Sequence, residues 1–141
     1  MIFKRLKEWY QSYRYFVIVD PNDNSITLSK ALYHHISNNA MENEDTRVFV
    51  FKVSHNDNYG FMISPSIERE TQMSEIQYND KYRCVGFETL CPSVGLILYN
   101  YGLDATKRYK FSVSIHSTLQ GKLYYQIDKP HEKYIRKYKK G

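Results

Sequence analysis

Cys91 stands immediately before Pro92 and Ser93, at the start of a segment that reads as a helix, and is the residue best placed for covalent chemistry. A thiol at a helix N-terminus meets the positive end of the helix dipole, where the nucleophilic thiolate is favoured. Such a nucleophile needs a base, and His34, His35, His55, His116 or His131 could serve only if the fold brought one to it. The surrounding run Thr89-Leu90-Cys91-Pro92-Ser93 carries no cysteine-enzyme signature. A buried structural thiol is the simpler reading of Cys91, as it is of Cys84 in its apolar segment. Metal chemistry fares no better. His34 and His35 are adjacent, so on a helix or a strand they diverge instead of chelating. Cys84 and Cys91 are not spaced as a zinc knuckle, and no second pair exists to complete a site. The six glycines are scattered singly, without a phosphate-loop or dinucleotide fingerprint. Glu68, Glu70 and Glu75 fall in a polar stretch and read as solubilising charge. The sequence therefore suggests no catalytic residue, no metal and no cofactor.

Charge placement is the stronger functional signal. The net charge of +5 is unevenly distributed: residues 129–141 carry +5, residues 1–15 carry +3, and the span between carries −3. Basic ends on a mildly acidic domain suit contact with a polyanion through counterion release, although a solvated, solubilising tail has the same composition. The last pair of strands sharpens the first reading. Side chains alternate across a strand, so Tyr109, Phe111, Val113 and Ile115, with Leu123, Tyr125 and Ile127, form one apolar face. The opposite face holds Arg108, Lys110, Ser112, Ser114 and His116, with Lys122, Tyr124 and Gln126, and Asp128 as the one acid near its edge. Beyond it, Tyr134 and Tyr138 are interleaved with Lys133, Arg136, Lys137, Lys139 and Lys140. Cations grip phosphate and tyrosine rings stack on exposed bases, so these residues are the candidate nucleic-acid contacts.

Several elements must position these residues. At 141 residues the chain is long enough for one domain with a real core, and aromatics at 16%, with 14 Tyr, favour strands. Residues 2–13 place Ile2, Phe3, Leu6, Trp9, Tyr10 and Tyr13 on one side of an amphipathic helix. Residues 14–20 and 25–28 read as strands around the turn formers Pro21-Asn22-Asp23-Asn24, and Ser29 reads as the cap of a helix over 30–37. Residues 38–45 read as a loop. Residues 47–53 and 59–64 form a hairpin, and 73–78 with 81–88 form another around Asn79-Asp80. A helix bounded by Pro92 and Gly102 follows, then the pair 108–116 and 122–128. The fold class is α+β: a twisted antiparallel sheet or small, partly closed barrel of hairpins, with two or three helices packed on it. Residues 1–128 form the single domain and 129–141 the basic Lys/Tyr-rich tail.

No apolar run spans a membrane, no signal-peptide pattern opens the chain, and two cysteines are too few for a disulfide framework. These observations predict a cytoplasmic protein without a membrane partner. The leading expectation is a small non-catalytic binding protein, nucleic-acid-binding or accessory in role. The alternative is a protein-interaction module or homodimer that uses N-terminal aromatic surface around Phe3 and Trp9.

Overall fold

Val17, Val19, Ile26 and Leu28 alternate with half-exposed neighbours along the two strands that follow the N-terminal segment, and all four are buried. This period of two pairs the strands face to face and points one face of each into the core. The structure is a computed structural model that describes residues 14–39, 47–53, 57–63, 74–75, 77–79, 84–90, 92–119 and 121–130. The expected N-terminal amphipathic helix, Cys91 and the basic tail beyond Pro130 lie outside them.

Among the described residues the strands are β1 (Phe16–Asp20), β2 (Ser25–Leu28), β3 (Arg47–Lys52), β4 (Tyr59–Ile63), β5 (Ser74–Glu75), β6 (Gln77–Asn79), β7 (Cys84–Glu88), β8 (Tyr109–Ser117) and β9 (Leu123–Pro130). They form one antiparallel sheet in the order β5-β3-β4-β9-β8-β1-β2-β7-β6. The sheet curls into a half-barrel. Phe61 on β4 and Phe87 on β7 are separated by four intervening strands, yet their rings meet at 5.4 Å. In a flat sheet those strands would stand about 24 Å apart at ~4.8 Å per step. The two end strands, β5 and β6, lie one residue apart in the chain, so the curl brings the edges of the sheet back toward each other.

Two helices are present among the described residues. The first, α1 (Lys30–Asn39), buries Leu32 and Ile36 at one-turn spacing. It runs past the expected end at Ser37 and takes in Asn38 and Asn39. Ser29 caps it, and its hydroxyl does more than cap. Oγ accepts from the Leu32 N–H at 3.2 Å and the Phe16 N–H at 3.2 Å, and donates to the Arg14 carbonyl at 2.8 Å. A hydroxyl offers one donor and two acceptor sites, so every one is used. Ser29→Ala is expected to cost about 2 kcal/mol in denaturant unfolding, with Ser29→Thr recovering much of it. An unchanged midpoint would show that water replaces all three bonds.

The second helix, α2 (Val94–Asn100), starts just after the position that Pro92 suggests. Ser93 is its cap, with φ −70 and ψ 154 and its Oγ accepting from the Leu96 N–H at 3.2 Å. The end agrees with the sequence. Gly102 has φ +74 and donates to the Tyr99 carbonyl, while Leu103 donates to the Leu98 carbonyl, the paired bonds of a Schellman ending. Val94, Ile97 and Leu98 are fully buried on the core side.

Two further expectations shift. The sequence suggests one strand over 73–78 that turns at Asn79-Asp80. Instead, β5 pairs with β3 and β6 pairs with β7, with Asn79 opposite Cys84, so Asn79 lies within a strand. In addition, β9 continues past Asp128 to Pro130, and a register shift between Phe111 and Val113 accommodates the extra length.

Candidate functional site

The apolar alternation of β8 and β9 sets the site. Phe111, Val113, Tyr125 and Ile127 are buried, and Val113 pairs with Ile127 and Ile115 with Tyr125, as the facing rule requires. Their neighbours therefore stand on the outer side. That side carries Lys110, Ser112, Ser114 and His116 from β8, Tyr124, Gln126 and Asp128 from β9, and Phe16, Ile18 and Asp20 from β1.

Its best-organised part is a row of rings. His116 and Tyr124 are cross-strand partners, stacked at 5.2 Å and 17°. Phe51 on β3 meets Tyr124 edge-on, at 5.7 Å and 66°. The intervening strand β4 places Gly60 in register with Phe51 on one side and Gln126 on the other, and a Cβ there would stand 3.3 Å from the Phe51 ring tip. Glycine thus leaves room for the Phe51 ring tip, while Met62, next on the same face of β4, is the residue in register with Tyr124. All three rings are half-buried. The Ser114 hydroxyl, two residues along the same face, lies 2.7 Å from His116 Nε2 and fixes the imidazole in its rotamer.

The candidate cations are not equivalent. Arg108 sits beside Asp20, which the β1–β8 register brings alongside it, with Nη1 4.0 Å from the carboxylate and both side chains largely covered. Its charge is committed within the fold. The Lys110 ammonium lies 3.9 Å over the Phe16 ring, a cation–π geometry that leaves the side chain half-exposed. Lys122 is exposed at the hairpin end, on the Tyr124 side of β9. Lys133, Tyr134, Arg136, Lys137, Tyr138, Lys139 and Lys140 lie outside the described residues.

The same face is less basic than the hairpin alone implies. Asp20 arrives from β1, Glu88 stands exposed opposite Ser25, and Asp128 accepts from Gln126 Nε2 at 2.6 Å. Asp23, in the turn after β1, has its pKa raised from the ordinary aspartate value by burial and by Asp20, against the lowering pull of Arg108. Two of the rings escape the sequence reading. It puts Phe51 and Phe16 in strands but on no face, because β3 is apolar on both sides and β1 nearly so, which erases the alternation that would sort them.

On the inner side, the two adjacent histidines of α1 diverge as expected. His34 is exposed, whereas His35 is half-buried between Tyr15 and Tyr125, with Nδ1 3.2 Å from the Tyr125 hydroxyl. Burial lowers the His35 pKa and pushes the Tyr125 hydroxyl up to about 12. In the unfolded chain a histidine protonates near ~6.5, so below that pH the unfolded state binds the proton first. The contribution of this site is therefore complete above that value and is lost as the pH falls toward the lower folded value. Titration of His35 by NMR is expected to give a midpoint below the ordinary histidine value of ~6.5, and a midpoint at or above that value would overturn the burial argument. Among the described residues no group of His, Cys, Asp and Glu is arranged to hold a metal, and no helix is long and apolar enough to cross a membrane. Compared with protein-family models, with curated proteins and with solved structures, the chain matches none.

Proposed function

We propose that this is a small non-catalytic nucleic-acid-binding or accessory protein that uses the outer face of the β8–β9 hairpin together with its basic ends. The observation that carries the reading is the company Tyr124 keeps. A stacked tyrosine–histidine pair stands on the solvent side of the sheet, with Lys122 on the same side of β9 and Lys110 farther along β8. Cations that reach phosphate supply affinity without sequence preference, and rings beside them supply stacking. The basic tail continues directly from the end of β9, which places its charge next to this hairpin in the chain.

The test is an anisotropy titration of labelled DNA and RNA against the full-length protein and a chain ending at Pro130, which keeps β9 whole. Affinity is expected to fall steeply with salt, with Lys110→Gln and Lys122→Gln each lowering the logarithmic salt slope by about 1. Removing the tail is expected to lower it further. No binding by the full-length protein at low salt would sink the reading.

A second reading, docking of a protein partner, is favoured by one observation. Leu96 and Tyr99, a turn apart on α2, are 48% and 72% exposed although they belong to an otherwise buried apolar helix. Association that survives high salt and is lost in Leu96→Glu would favour it.

A further inference from the structure

We infer that the row Phe51–Tyr124–His116 is a stacking site for unpaired bases, so that the partner is single-stranded nucleic acid and not duplex. The inference rests on the nucleic-acid reading above and adds the chemical class of the ligand. Three half-buried rings in contact across β3, β9 and β8 form an apolar strip on the outer side of the sheet, away from the buried core. An aromatic strip on a sheet surface accepts the π-face of a base whatever the base is, and that face is available only when the base is out of a duplex. Gly60 leaves room for the Phe51 ring tip on β4, and half-buried Met62, next on the same face of β4, lies level with Tyr124 and adds to the apolar surface. The Ser114 contact holds the imidazole in its stacked rotamer before a ligand arrives, which reduces the ordering cost of binding.

Charge points the same way. Lys122 stands two residues from Tyr124 on the same side of β9, within reach of a phosphate whose base stacks on the row. The acids Asp20, Glu88 and Asp128 lie away from it. From Tyr124, Asp128 is four residues along β9, about 13 Å at ~3.3 Å per residue, and Asp20 and Glu88 are on the β1–β2–β7 side, so the His116–Tyr124 end of the row is the end clear of these acids. A single strand can follow the rings and leave those carboxylates alone. A duplex, with two rigid phosphate rows and its bases stacked inside, offers the rings no free base face.

The experiment titrates full-length protein against fluorescein-labelled oligo-dT and oligo-U of about 12 nucleotides and against a hairpin duplex of matched length. Tyr124→Ala, Phe51→Ala and Tyr124→Phe are measured alongside, each checked for folding by thermal melting. Wild-type protein is also crosslinked to a 4-thiouridine oligomer and the adduct mapped. The expected result is tighter binding of the single strands than of the duplex, about tenfold loss in each alanine variant, retention in Tyr124→Phe, and an adduct on β9 or β3. The DNA and RNA arms report which sugar is preferred. Duplex bound as tightly as single strand, alanine variants that bind as wild type, or an adduct confined to the tail would overturn the stacking site and leave nucleic-acid binding in place. Binding of neither form would instead remove the reading beneath it. If Tyr124→Ala fails to fold, the adduct position and Phe51→Ala still decide.

Discussion

Phe61→Ala is expected to destabilise the protein by about 4 kcal/mol in reversible unfolding, the loss of a large buried ring plus the cavity it leaves. Phe61 is fully buried, stacks on Tyr125 at 5.4 Å and 24°, and meets Phe87 from the far side of the half-barrel at 5.4 Å. It is therefore the ring through which β4 and β7 touch across the interior of the curl. Losing it empties the centre of the core and removes a contact that spans four strands. The consequence reaches the outer face. Tyr125 and Tyr124 are consecutive on β9, so the packing of Tyr125 against Phe61 fixes the facing that turns Tyr124 outward. Phe61→Leu keeps much of the volume and is expected to cost under about half as much. A loss below about 1 kcal/mol in Phe61→Ala would mean that the curl is held elsewhere and the sheet can flatten around the gap.

What the sequence discloses of this arrangement is local, and what it withholds is long-range. The cap at Ser29, the turn at Pro21–Asn24, the glycine ending at Gly102 and the two faces of β8–β9 all follow from chemistry within a few residues, and the structure has each of them, except that Gln126 on the outer side of β9 is itself buried. The order of the sheet does not. Nothing near Phe16 marks β1 as the neighbour of β8, although that pairing sets Asp20 against Arg108 and withdraws the guanidinium from solvent. Likewise, the splitting of residues 74–79 between opposite ends of the sheet is decided by β3 and β7, far away in the chain. Lys122 and Tyr124 could be placed because they lie on a hairpin, whose register is set by its own turn. Phe51 could not, since its partner Tyr124 is 73 positions further along the sequence and its own strand is apolar on both faces. A candidate site that joins β3 to the last hairpin is thus half legible: the hairpin half.

Tyr101→Phe removes a single oxygen and is expected to cost about 3 kcal/mol, because that oxygen completes a broken rung of the sheet. β4 and β9 pair through Phe61 with Tyr125 and Gly60 with Gln126, so the next partners in register are Tyr59 and Ile127. At that level the Tyr101 hydroxyl intervenes. The Tyr59 N–H donates to it at 2.8 Å, and it donates to the Ile127 carbonyl at 2.6 Å. Burial drives the Tyr101 pKa well above the ordinary tyrosine value, against the lowering effect of the Tyr59 N–H, so the hydroxyl keeps the proton that it donates. The ring itself packs on Phe111 at 5.0 Å, which stops the two strands from simply zipping together once the oxygen is gone. Phenylalanine in the same place therefore leaves a covered N–H and a covered carbonyl facing an apolar edge. Hydrogen exchange at Tyr59 distinguishes the outcomes. Faster exchange with a lower unfolding midpoint is the expected result, whereas protection equal to wild type would show that β4 and β9 close the rung directly. In the expected case the damage begins where α2, β4 and β9 meet, one rung from Gly60, and the spacing of Phe51 from Tyr124 on the outer face loosens with it.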